Sequence, residues 1–274
     1  MRKRWFTIFI TICLLLMAGC SNGPEGQEIY QGKGGIESRT LYSKLLELAG
    51  KREDQILFAD DFRGLGELRI SGESNFAGME LLDLSSVESL TLVRCNLTNG
   101  VLPDFVMQMG RLKRLAVEDC GLMSIPEEIA ACASLRELSL RGNQLSTLPN
   151  AMLAMERLNL LDLSENHFHD IPAELQQMNQ LVHLDLSGND IVSLDGITGP
   201  NQLDTLNLSD NHLKTLPESL LRMDKLQVLL LSGNEMTELP LFLNNFAYLA
   251  YVDVSGNTAL VFDELDFPSI TIFF

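Results

Sequence analysis

The sequence predicts an α/β solenoid, a curved horseshoe with one parallel sheet on its concave side and short helices or turns on its convex side. Three observations carry that expectation. An apolar pattern begins anew at Leu65, Val87, Leu112, Leu135, Leu158, Leu181, Leu203, Leu226 and Leu249, in steps of 22, 25, 23, 23, 23, 22, 23 and 23 residues. Units this short cannot bury a hydrophobic face alone and become stable only when stacked. Inside each copy apolar residues stand at the first, fourth and sixth places, and eight of the nine copies put Asn or Cys at the ninth, as in LRELSLRGNQLSTLP from Leu135.

Residues 1–19 read as a targeting leader. Arg2, Lys3 and Arg4 form a positive start, and the apolar run from Trp5 to Met17 is too short to span a bilayer comfortably. The run ends in Leu-Met-Ala-Gly-Cys, which resembles a bacterial lipobox with Cys20 as the lipid acceptor. That resemblance implies a lipoprotein anchored through acyl chains on Cys20, each buried methylene contributing ~0.8 kcal/mol to membrane binding. Ser21 in place of aspartate implies, by the same resemblance, sorting to the outer membrane. Residues 20–40 are polar and glycine-rich without apolar periodicity, and they read as a flexible tether reaching roughly 25 Å.

Residues 41–64 read as an N-terminal cap, because a terminal repeat would otherwise expose its core. Leu41, Leu45 and Leu48 recur at helical spacing with Gly50 as a stop, and Ile56 to Phe62 complete the seal. The repeats then occupy 65–274, nine of them plus a truncated tenth strand. In that last strand Phe267, Ile270 and Ile272 reproduce the apolar spacing, which would put Thr271 in line with Asp253.

The repeat L-x-x-L-x-L-x-x-N-x-L resembles the leucine-rich repeat family over roughly 65–272. The resemblance implies recognition of a protein or peptide through the concave face. Asn143, Asn166, Asn189, Asn211, Asn234 and Asn257 are read as structural, their amides satisfying backbone groups where the chain turns inward. An Ile-Pro or Leu-Pro pair follows in five copies, at Pro126, Pro149, Pro172, Pro217 and Pro240, and proline suits the first turn of a short convex helix. The copy from Leu181 lacks that pair and carries Leu194-Asp195-Gly196, so its convex segment is expected to be non-helical.

Cys95 and Cys120 hold the ninth place, where stacked strands ~4.8 Å apart would bring them within bridging distance. A disulfide is therefore open on geometry. In the resembled family Cys is an ordinary substitute for Asn there, which implies free buried thiols. The chain carries a formal charge of −17, and losing Arg2, Lys3 and Arg4 would make it three units more negative. Such a surface repels nucleic acid and anionic headgroups, so contact with a membrane is expected only through Cys20.

The outward strand positions form columns on the concave sheet. One runs Glu67, Ser89, Arg114, Glu137, Leu160, His183, Thr205, Val228, Tyr251; the next runs Arg69, Thr91, Ala116, Ser139, Asp162, Asp185, Asn207, Leu230, Asp253. The N-terminal half mixes charges of both signs. In the C-terminal half apolar Leu160, Val228, Leu230 and Tyr251 stand beside Asp162, Asp185 and Asp253, with His183 and Asn207 among them. Apolar side chains facing water within a polar rim mark a binding surface, and these nine residues are the candidate ligand-binding set. Asp and Ser in LDLS are also common fillers of such repeats.

His167, Asp190 and His212 fall in a row after the asparagines, a pattern that could hold a metal ion; a solvated polar edge is the preferred reading, and no metal or cofactor is assigned. No catalytic constellation is found, since Gly32-Lys33-Gly34-Gly35 lacks phosphate-loop spacing and no serine elbow or zinc helix occurs. The expected function is a lipid-anchored binding module of the bacterial envelope or cell surface, with adhesion as one use. A non-enzymatic scaffold acting through the convex face, or self-associating weakly through the terminal edge strand, is the alternative.

Overall fold

A computed structural model describes residues 27–262 and 267–274. Cys20 and the leader lie outside the described residues. Ten parallel strands form one sheet in strict chain order: β3 (Glu67–Ser71), β4 (Ser89–Val93), β5 (Arg114–Glu118), β6 (Glu137–Ser139), β7 (Leu160–Asp162), β8 (His183–Asp185), β9 (Thr205–Asn207), β10 (Val228–Leu230), β11 (Tyr251–Asp253) and β12 (Thr271–Phe273). This is the α/β solenoid that the repeat spacing predicts, and each strand pairs with its neighbour one repeat away.

Packing follows from the pattern. Leu161, Leu163, Leu181, Leu186, Leu203, Leu208, Leu229 and Leu231 are fully buried, and they belong to one continuous core with the matching leucines of every other copy. Each such side chain contributes roughly 1.5–3 kcal/mol through burial. Asn166 shows how the ninth place closes a turn: its Oδ1 accepts the Leu145 N–H at 3.0 Å, and its Nδ2 donates to the carbonyls of Leu140 and Leu163, each at 3.0 Å. One amide thus ties two repeats together. The six asparagines are 3–7 % exposed.

Cys95 and Cys120 are free and continue the same column. The Cys95 N–H donates to Cys120 Sγ at 3.3 Å, and Cys120 Sγ faces the Glu118 carbonyl at 3.1 Å. The adjacent thiol and burial push the Cys120 thiol up.

On the convex side the six helical turns that follow Pro103, Pro126, Pro149, Pro172, Pro217 and Pro240 are 3-10 rather than α, and each proline stands just before its turn, not inside it. The proline carbonyl accepts the N–H three residues on, as from Leu175 to Pro172 at 3.1 Å. The segments are five or six residues long, the short pieces in which 3-10 geometry is used. The copy from Leu181 has no helix between β8 and β9, as its sequence implied.

Two expectations need correction. The stretch 20–40 is not all tether: β1 (Glu28–Ile29) pairs antiparallel with β2 (Leu57–Phe58), and Ile29 and Ile36 are fully buried. The cap therefore begins by residue 28, ahead of its helix α1 (Arg39–Leu48). On α1 the buried residues are Leu41, Leu45 and Leu46, while Leu48 is 46 % exposed; Gly50 at φ +66° follows the helix end. The second correction is the register of β12, where Thr271 pairs with Tyr251 and Phe273 with Asp253. The strand slips two residues from the expected alignment, which keeps Ile272 facing inward beside Val252.

The first repeat carries Glu73 where later copies have Asn or Cys, and this carboxylate joins cap to solenoid. It is 5 % exposed; its Oε2 accepts the Ser38 hydroxyl at 2.8 Å, and its Oε1 accepts the N–H groups of Ser74 and Asn75 at 2.8 and 3.0 Å. Ser38 in turn caps α1, accepting the Leu41 N–H at 3.1 Å. Burial raises the Glu73 pKa, but the Asn75 and Ser38 hydrogen bonds, with Ser74 and the charge of Lys44, outweigh it and hold the group below its ordinary value. Gly78, at φ +91°, leaves room for the Gly35 carbonyl, which a Cβ would strike.

Candidate protein-binding surface

Strands β7 to β11 position the candidate residues. Alternation sends Leu161, Leu184, Leu206, Leu229 and Val252 into the core and their neighbours outward. The register aligns Leu160, His183, Thr205, Val228 and Tyr251 in one row and Asp162, Asp185, Asn207, Leu230 and Asp253 in the next. Of the nine candidates His183 is exposed and the other eight are half-buried by their neighbours on the sheet.

A depression of about 280 Å³ opens between them, its lining including Leu160, Asp162, His183, Asp185, Asn207 and Leu230. Thr205, absent from the candidate set, completes the wall. Val228, Tyr251 and Asp253 lie beyond the depression on the neighbouring positions of β10 and β11. Larger hollows of about 630 Å³ at the cap helix and about 530 Å³ beside Phe76 and Pro103 lie away from this strand surface. They are open grooves at the cap and at the solenoid edge, and the smaller hollow has the apolar floor that recognition needs.

Each aspartate on the sheet has a structural task that the sequence does not reveal. Asp162 Oδ1 accepts the N–H and the hydroxyl of Ser164, at 2.9 and 2.6 Å, and Asp185 Oδ1 accepts those of Ser187, at 2.8 and 2.6 Å. Asp253 Oδ1 accepts the Ser255 N–H at 2.9 Å, and Asn207 Oδ1 the Ser209 N–H at 3.0 Å. These local turns explain why LDLS recurs. The second oxygens face along the sheet: Asn207 Nδ2 donates to Asp185 Oδ2 at 2.9 Å. Ser139 Oγ lies 3.0 Å from Glu118 Oε1 and 3.3 Å from Asp162 Oδ2, so its single proton serves one of them at a time.

The N-terminal half has a different character. It carries both signs of charge: Lys113 pairs with Glu88 at 2.8 Å, and Arg141 reaches across to Glu165 of the next repeat at 2.6 Å. The row of His167, Asp190 and His212 does not converge on a point. His167 Nδ1 approaches Asp190 Oδ2 at 3.6 Å, whereas His212 Nδ1 turns to Glu235 Oε1 at 2.9 Å. Among the described residues no group of three His, Cys, Asp or Glu side chains is placed to hold a metal ion.

The stacked parallel strands, the inward leucines and the asparagine ladder define a leucine-rich repeat solenoid. Sequence models of the leucine-rich repeat match residues 110–168, 133–191 and 202–223. Comparison with curated proteins gives no significant match. Among solved structures, internalin C2 of Listeria monocytogenes superposes with a TM-score of 0.67 at 19 % identity, covering 80 % of this chain and 94 % of its own, a likeness of fold. A leucine-rich repeat protein of Leptospira interrogans is 25 % identical with a TM-score of 0.53, covering 72 % of this chain and 53 % of that one. The chain thus spans about half the length of the Leptospira protein. A plant peptide hormone receptor, RGFR1 in complex with RGF2, is 27 % identical with a TM-score of 0.56, over 71 % of this chain and 32 % of the receptor.

Proposed function

We propose that this chain is a lipid-anchored recognition module of the bacterial envelope, binding a protein or peptide through the C-terminal half of its concave sheet. The observation that carries the reading is the apolar group Leu160 on β7, Val228 and Leu230 on β10 and Tyr251 on β11, presented outward beside carboxylates fixed by their own turns. Water gains nothing from those side chains, and a partner that covers them recovers the hydrophobic term. The plant receptor, solved in complex with RGF2, lends support by analogy of fold. Cys20 in its lipobox-like setting supplies the anchor, with the outer membrane as the expected site, facing either the periplasm or the exterior.

Leu230→Arg should remove the partner while leaving the far-ultraviolet spectrum and thermal midpoint unchanged; retained binding would overturn the concave reading. Cys20→Ala should release the protein from membranes and abolish palmitate labelling. A second reading, a scaffold that self-associates by strand pairing, rests on β12 at one end of the sheet, with Phe273 and Phe274 exposed at 55 % and 68 %. It requires that removing 267–274 change the oligomeric state.

A further inference from the structure

Resting on the concave reading, we propose that the segment bound there is an extended, cationic peptide with two Lys or Arg residues about four positions apart and an apolar residue between them. The charge on this half of the sheet is of one sign. On β7 to β11 and the residues flanking them (159–165, 182–188, 204–210, 227–233 and 250–256) stand Asp162, Glu165, Asp185, Asp204, Asp210 and Asp253, and neither Lys nor Arg occurs. Among the described residues, Glu165 alone of these six has a basic partner within ion-pair reach, Arg141. A concave face carrying one sign of charge focuses its potential on whatever enters.

The second step is how the charges are held. Asp162 and Asp185 are fixed by neutral donors, the Ser164 and Ser187 turns and the Asn207 amide. Neutral donors orient a carboxylate without cancelling its charge; the serine turn fills Oδ1 of each, and Oδ2 keeps a lone pair for a further donor. The side chains are therefore already ordered, so a cation arriving there meets little of the usual entropic cost. The adjoining depression, floored by Leu160, Leu161, Leu184 and Leu230, accepts an apolar side chain but contributes no cation. Lys and Arg suit the rim because their stems lie along apolar surface while their heads reach the acids.

Spacing fixes the pattern. Asp185 on β8 and Asp253 on β11 are three strands apart, roughly 14 Å at ~4.8 Å per strand, or about four extended residues at ~3.3 Å each. Side chains four apart on an extended chain share a face, and the residue midway faces the same way, toward Val228 and Leu230 on β10.

The test is selection of random displayed peptides of roughly ten residues on the full chain in detergent. The expected result is enrichment of peptides with that basic–apolar–basic spacing. Their binding should weaken about tenfold on moving from low to physiological salt, and again in Asp253→Asn, which keeps the Ser255 turn but drops the charge. Neutral or acidic winners that are still lost in Leu230→Arg would overturn the cationic peptide and leave the concave reading standing. Winners indifferent to both Leu230→Arg and Tyr251→Ala, or no enrichment, would overturn both.

Discussion

Asn207 Nδ2 donates to Asp185 Oδ2 at 2.9 Å across two neighbouring strands, while the other oxygen of Asp185 is occupied by Ser187. The acid at the centre of the candidate surface is thus held on both sides. Asp185→Asn should preserve the turn to Ser187, because its amide oxygen still accepts. Asp185→Ala should lose that turn and cost about 1 kcal/mol in urea unfolding. Equal effects from the two substitutions would mean that the charge, and not the turn, matters to folding.

The asparagine ladder sets a larger cost. Asn189 Nδ2 donates to the carbonyls of Leu163 and Leu186, and its Oδ1 accepts the Phe168 N–H at 3.0 Å. Asn189→Leu leaves those buried groups unpaired and should cost roughly 2 kcal/mol or more. Asn189→Cys should cost less, since Cys95 and Cys120 already serve that column. Chemical denaturation of both variants gives the comparison.

Glu73 gives the cap a pH dependence of known sign. Its folded pKa lies below its unfolded value, so the stability it contributes is full above the unfolded pKa, about 4.3, and is lost as pH falls through the folded pKa. Glu73→Gln should flatten the stability profile in that acid range. A slope identical to the parent's would place the acid sensitivity elsewhere.

Cys95, Cys120 and Cys132 are 1 %, 3 % and 0 % exposed, and burial pushes the Cys132 thiol up to about 11. A sulfur this inaccessible lies out of a reagent's reach. Alkylating reagent near pH 8 should leave all three untouched in the folded protein and modify all three in urea. A native, unreduced sample in which Cys95 and Cys120 resist alkylation even in urea would show that they are bridged.

Much of this architecture is legible in the sequence because a stack repeats one local rule. Inward leucines, ninth-place asparagines and the helix-free copy after β8 each follow from residues within a single repeat. The ends are less legible because they depend on distant partners. Ile29 and Ile36 stand in a polar stretch; pairing of β1 with β2 places Ile29, and the turn that bonds the Ile36 N–H to the Tyr30 carbonyl places Ile36. The slip of β12 by two residues preserves the alternation of inside and outside, so the apolar pattern could not distinguish the two registers. At the candidate site the composition of each column was readable. The local turns that occupy Asp162, Asp185 and Asp253 were hidden in LDLS, which serves both the fold and the surface.

The central claim is that the concave sheet, not the convex face, meets the partner. Site-specific photo-crosslinking in the native cell tests it most directly, with one probe at Leu230 and another at exposed Gln177 on the convex turn after Pro172. A defined adduct from Leu230 and none from Gln177 is the expected result. Adducts from Gln177 alone would contradict the claim.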